Sequence, residues 1–201
     1  MNNNSRLLVT YISNSGSTAE VAERIAEKIS ASYESVHVLP IADVGSLDGY
    51  TGVVIGGPMI LGWHRKAYKF VMKHRATLNE IPFHVFMTAM EVTGETPAED
   101  SCVFVDPKIL ETPADPSKLS FKEKHTTIGH YTAALFKGGR TPKPARIAIF
   151  AGKLDYTKLK FPQMLFVMLI IGAKPGDRRN WKTIDTWTQS LEFLKHGGTS
   201  E

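Results

Sequence analysis

Two spacings of hydrophobic and polar positions alternate along this 201-residue chain. Leu7–Ile12 is almost continuous in apolar and β-favouring residues, as expected of a strand buried on both faces in a parallel sheet covered by helices. The run stops at Ser13, Asn14, Ser15, Gly16 and Ser17. Beyond it Ala22, Ile25, Ala26 and Ile29 recur at helical spacing, with Glu20, Glu23, Arg24, Glu27 and Lys28 on the opposite face. The unit is a strand, a short polar turn and an amphipathic helix.

The same alternation continues. Ser35–Leu39 predicts a second strand, and Gly52–Gly57 a third that ends in a glycine-rich loop. Lys66–His74 predicts a helix with Ala67, Phe70, Val71 and His74 on one side. Phe83–Thr88 and Arg146–Ala151 complete five strands, and Trp181, Ile184, Trp187, Leu191 and Leu194 form the apolar stripe of a closing helix. That stripe predicts core positions for both tryptophans. Strands alternating with helices predict an α/β fold, a doubly wound five-stranded parallel sheet with helices on both faces. Residues 91–145 exceed what a structureless loop in a compact domain allows. Thr126–Phe136 within them has a helical pattern. The part before it, about 91–125, reads as an insertion after strand four, and Cys102-Val103-Phe104-Val105 suits a short strand there. Covering a site and mediating association are both open roles for it.

Length fits one domain over residues 1–201, with no internal repeat or linker-like run. A single cysteine, Cys102, excludes an intramolecular disulfide and a Cys-rich metal site, and reads as a small apolar filler. His37, His84 and His130 show no ligand spacing, so no metal is expected. The polar start lacks an export signal, which makes the cytoplasm the expected compartment. Net charge is +4, with basic residues concentrated at Lys153, Lys158 and Lys160 and at Arg178 and Arg179. A solvated face is the plain reading; attraction to an anionic lipid surface or an acidic substrate is the alternative. Nucleic-acid binding would need a recognisable module and a denser basic face, and the sequence has neither.

Candidate chemistry concentrates in Ser13, Asn14, Ser15, Gly16, Ser17 and Thr18, between a buried strand and a helix. A phosphate needs several converging donors, and such a turn supplies backbone N–H groups, hydroxyls and a helix N-terminus. No lysine stands in the loop, and both the nucleotide-triphosphate and dinucleotide glycine patterns are absent. A monoester phosphate held by neutral donors fits best. A turn that merely caps its helix is the competing reading.

This loop resembles that of the flavodoxin family, whose pattern Ser/Thr-x-Ser/Thr-Gly-x-Thr is matched by Ser13, Ser15, Gly16 and Thr18. The resemblance implies FMN as cofactor, with its ring flanked by Pro58, Met59, Ile60, Leu61, Gly62, Trp63 and His64 after strand three. Thr88, Ala89, Met90 and Glu91 after strand four would form the other flank. Trp63 and His64 are candidates to lie beside the ring; core packing and a helix start are their plain alternatives. Gly152, Lys153 and Asp155, with Tyr156, follow the last strand and would line the substrate side, although such residues are common in loops.

Gly56–His64, the helix containing Phe70–His74, Ala151–Tyr156 and Gly176–Trp181 are similar to the menaquinone-dependent protoporphyrinogen oxidase branch of that family. This implies electron flow from a reduced organic donor to a quinone-like acceptor through the flavin, so no acid–base catalyst is assigned. The alternative is a flavodoxin-type carrier with no substrate of its own, although such carriers present an acidic docking surface and this chain is basic. Phe161–Ile171 is far short of the ~20 residues that span a bilayer. Contact with a quinone, a membrane surface or a partner competes there with an ordinary buried helix or dimer face. Flotation separates these: a buried helix or dimer face leaves the protein free of anionic vesicles, and a lipid-contacting one carries it upward.

Overall fold

A computed structural model describes residues 6–33, 35–59, 62–113, 115–136, 139, 141–158 and 174–193. The apolar stretch 161–171 therefore lies outside the described residues, as does Leu194. The central sheet is wholly parallel. Its strands are β1 (Arg6–Tyr11), β2 (Ser35–Pro40), β3 (Gly52–Pro58), β4 (Phe83–Ala89), β6 (Val103–Val105) and β8 (Arg146–Ala151), in the order β2-β1-β3-β4-β8-β6. All five expected strands are present.

The sheet has six strands instead of five because the insertion adds one. Val103–Val105 pairs in parallel with Ile147–Ile149 and covers the edge of β8. The remaining insertion builds a small parallel pair, β5 (Val92–Thr93) with β7 (Leu110–Glu111). Two helices follow, α4 (Phe121–Thr126) and α5 (Ile128–Phe136); α5 is the expected helix starting at Ile128, and α4 is an additional one before it. Ser120 starts α4 with a capping box: its hydroxyl accepts from Glu123 N–H while the Glu123 carboxylate accepts from Ser120 N–H. Cys102 is exposed, because the strand that buries its neighbours begins one residue later.

Alternating residues of each strand feed two cores. On one face Leu8, Val53, Ile55, Val85, Met87, Ile147 and Ile149 meet Ala67, Phe70 and Val71 of α2 (Arg65–Lys73), together with Tyr131 and Leu135 of α5. On the other, Leu7, Val9, Val54, Phe86, Ala148 and Phe150 meet α1 (Ser17–Ser30) and α6 (Trp181–Gln189). Arg24 of α1 grips Asp185 of α6 with two hydrogen bonds, Nε to Oδ1 at 2.8 Å and Nη2 to Oδ2 at 2.7 Å. Trp187 is 3% exposed, as its stripe predicts, but Trp181 opens α6 and is 38% exposed under the guanidinium of Arg179. A short helix, α3 (Arg75–Glu80), leads into β4, and β9 (Lys153–Leu154) pairs antiparallel with β10 (Gly176–Asp177).

His84 is a buried polar residue in β4, 1% exposed, with its ring edge-on to Trp187 and Phe193. Its Nε2–H donates to the carbonyl of Glu192 at 3.0 Å, and Nδ1 has no partner. Burial pushes its pKa down to about 4 from 6.5. The unfolded chain therefore takes up this proton first, so the fold loses stability as pH falls from 6.5 towards 4. The loss reaches about 2 kcal/mol by pH 5. Urea unfolding at pH 8 and pH 5 should show it, and His84→Gln, neutral at both, should shrink the difference by that amount.

Candidate functional site

The parallel ladder brings four loops to one edge of the sheet. Ile12 N–H donates to Gly56 O at 3.0 Å, which carries the β1–β3 ladder one residue past β1. The chain then turns, and Gly16 takes φ +91°, a left-handed conformation that costs glycine little. Its N–H donates to the Ser13 hydroxyl at 3.0 Å. Helix α1 opens at Ser17 with no side chain capping its first turn, so this end of a 14-residue helix keeps donors and dipole for an anion. Asn14 is exposed, Ser13 and Ser15 are half-buried, and Ser17 and Thr18 are buried. Thr18 reaches across the sheet: its hydroxyl and that of Thr88, at the end of β4, are hydrogen-bonded at 2.9 Å.

The loop after β3 closes on itself through an antiparallel bridge between Met59 and Trp63. Met59 N–H donates to Thr88 O at 2.9 Å. Pro58 ends the strand and Gly62 has φ +135°; Ile60 and Leu61 lie outside the described residues. The Trp63 indole lies in the core, 6% exposed, and its Nε1–H has no partner. A Cβ on Gly57 would stand 2.8 Å from that nitrogen and 3.4 Å from Ile12 Cγ2, so Gly57 must stay bare for the indole to pack beside it. Trp63 thus offers this edge a buried N–H instead of an open ring face. His64 starts α2, its Nδ1 accepting from Lys66 N–H at 3.2 Å. Burial, then the Lys66 charge, lowers its pKa and keeps the ring neutral near pH 7.

The loops after β4 and β8 interlock. Gly152 N–H donates to Ala89 O at 2.7 Å, and Met90 O accepts from Arg178 Nη1 at 3.0 Å. Glu91 turns into the insertion, where its carboxylate pairs with Lys122 and its carbonyl accepts from Tyr131 OH at 2.9 Å. Burial, then Glu91, raises the Tyr131 pKa, so the phenol stays a donor. Lys153 stands opposite Asp177 in the β9–β10 hairpin. Asp155 accepts from the backbone N–H and the hydroxyl of Thr157 at 3.0 and 2.6 Å, which commits it to closing a turn. Tyr156 begins the short helical turn that follows.

Arg178 and Arg179 were legible only as a basic pair, and the structure gives them separate tasks. The Arg179 side chain is 6% exposed, stacks on Trp181 at 4.7 Å and pairs with Glu20 and Asp177. It neutralises a carboxylate in the first turn of α1, beside the polar loop. Their spacing from the strands carried no signal, because the link runs through a hairpin formed far along the chain. Combined, the edge presents hydroxyls, a left-handed glycine and an open helix end. That donor set holds no lysine or arginine within the loop and fits a phosphate monoester.

Comparison with known proteins agrees with the topology. A flavodoxin domain family model matches residues 8–179. The chain is 23% identical over 198 residues to protoporphyrinogen IX dehydrogenase [quinone] of Escherichia coli (strain K12), covering 94% of this chain and 93% of that protein. Among solved structures, a flavodoxin from the domain Archaea aligns with 41% of this chain and 62% of its own, at 24% identity and TM-score 0.38. Oxidised flavodoxin 1 from Bacillus cereus aligns over 42% and 61%, at 24% identity and TM-score 0.33. In both cases the chain spans less than two thirds of the solved structure.

The Gly57–Trp63 contact predicts a sharp steric response. Gly57→Ala should displace the indole and cost about 1–3 kcal/mol in urea unfolding. Gly45→Ala, which meets nothing within 4 Å, serves as the control and should stay within about 0.5 kcal/mol.

Proposed function

Because the chain belongs to the flavodoxin domain family, we propose that it is an FMN-dependent oxidoreductase that passes electrons from a reduced organic donor to a quinone-like acceptor. Family membership implies flavin mononucleotide as the cofactor. The observation that carries the reading is the β1–α1 junction, where neutral donors converge on one open helix end.

The roles of the residues follow from placement. Ser13, Ser15, Ser17 and Thr18, with the N–H groups that open α1, hold the phosphate. Thr18 is set in place by its bond to Thr88. The loops 58–64 and 88–91 form the two walls, the second fixed by Tyr131, Lys122 and Arg178. The flavin ring supplies the electron transfer. The protein would bind and orient it, and no side chain is assigned as acid or base.

The donor and acceptor are named by chemical class on the strength of the end-to-end alignment with a quinone-linked dehydrogenase. The specific version of the reading is protoporphyrinogen as donor and a menaquinone as acceptor. FMN-loaded protein that fails to oxidise protoporphyrinogen with a soluble menaquinone analogue sinks that version and leaves a carrier of electrons between other proteins.

The cofactor assignment is tested by titration of purified apoprotein. FMN should quench its fluorescence on binding tightly, and riboflavin, which lacks the phosphate, should bind at least about a hundredfold more weakly. Ser15→Ala should weaken FMN about tenfold or more and leave riboflavin nearly unchanged. Equal affinities for the two flavins would overturn the phosphate cradle.

A further inference from the structure

We propose that Arg178 recognises a carboxylate of the electron donor, which makes the donor an organic acid; the inference rests on the function proposed above. The ionic groups around this edge are almost all accounted for. Glu91 is paired with Lys122, and Glu20 and Asp177 are both paired with Arg179. Lys153 stands across the hairpin from Asp177 and lowers its pKa, after the larger effect of Arg179. Asp155 is turned into its own loop by Thr157.

Arg178 stands apart from these pairs. It is half-buried, and among the described residues no carboxylate lies within ion-pair distance of it. Its backbone N–H donates to Gly152 O at 3.0 Å, which ties it to the end of β8. Its Nη1 donates to Met90 O, which places the guanidinium over the loop after β4. A guanidinium carries five N–H donors in a fixed fork matched to a carboxylate, and one carbonyl uses only one of them.

The sequence supplies no hidden counter-ion nearby. From Tyr156 to Gly176 the chain carries Lys158, Lys160 and Lys174 and no Asp or Glu. A half-buried cation without a carboxylate, in a basic stretch beside two site loops, is set for an anion brought by the substrate. Arg179 shows the contrast: one residue further on, the same side chain is satisfied by two carboxylates and a tryptophan ring. Arg178 touches the substrate in this proposal and takes no proton or electron.

The test compares protoporphyrin IX, a dicarboxylic acid, with its dimethyl ester, both in the same detergent and titrated against FMN-loaded protein by porphyrin fluorescence. The wild type should bind the diacid about tenfold or more tightly than the ester. Arg178→Gln, which removes the charge and the fork, should lose that preference while keeping its ester affinity. Arg178→Lys keeps the charge without the fork and should retain part of the preference. Equal binding of diacid and ester by the wild type, or a preference that survives in Arg178→Gln, overturns the assignment of Arg178 alone. Failure of both porphyrins to bind the wild type overturns the donor class as well, and that outcome is distinct because FMN binding is measured separately.

Discussion

The site depends on one constraint: β1 and β3 are hydrogen-bonded neighbours, yet the helices that leave them must cover opposite faces of the sheet. Every strand between the edges is buried on both sides, so each face needs its own helices. Helix α1 turns from β1 to the face carrying Leu7 and Val9, and α2 turns from β3 to the face carrying Val53 and Ile55. The two chains part at the carboxyl ends of adjacent strands, and a crevice is left between them. The polar loop at 13–16 lines one side, the Met59–Trp63 bridge lines the other, and the Thr18–Thr88 bond ties the first side to β4 beyond it.

How much of this was legible follows from which forces are local. The strands β1, β3, β4 and β8 were readable because double burial writes continuous apolar runs into the sequence. The loop at 13–18 was readable because several small polar residues at a strand–helix junction have few other uses. The sixth strand was harder: Val103–Val105 is three residues long and gains its place only by pairing with β8, some forty residues onward. Trp181 was misplaced for a different reason. It has the periodicity of the apolar stripe but sits in the first turn, where Arg179 covers its ring and no sheet does. The tasks of the two arginines had no local signal, because Arg179 meets Glu20 of α1 and Arg178 meets Met90 O only in the folded chain.

The insertion changes the edge of the molecule and the site together. By adding Val103–Val105 it removes the open edge that β8 would otherwise present. By continuing through the β5–β7 pair into α4 and α5 it returns to the loop after β4, where Lys122 and Tyr131 hold Glu91. A buried link between Thr93 and Thr126 hydroxyls at 2.8 Å fastens the start of the insertion to the end of α4. One segment thus extends the sheet past β8 and supplies a wall beside it, which couples the packing of β8 to the loop after β4.

The same edge also concentrates the groups that a folded core would normally avoid. Gly16 is left-handed, the first turn of α1 is uncapped, the Trp63 N–H is unpaired and Arg178 is half-buried without a carboxylate. The last three are unfavourable by themselves, and the well-packed faces of the sheet offset them. The unfavourable groups also divide by position. The uncharged donors cluster at β1 and β3, where a phosphate with modest demands suffices. Arg178, half-buried and without a carboxylate among the described residues, stands at the loops after β4 and β8. The proposed function gives each its own ligand, a cofactor held by its phosphate and a donor held by its acid group.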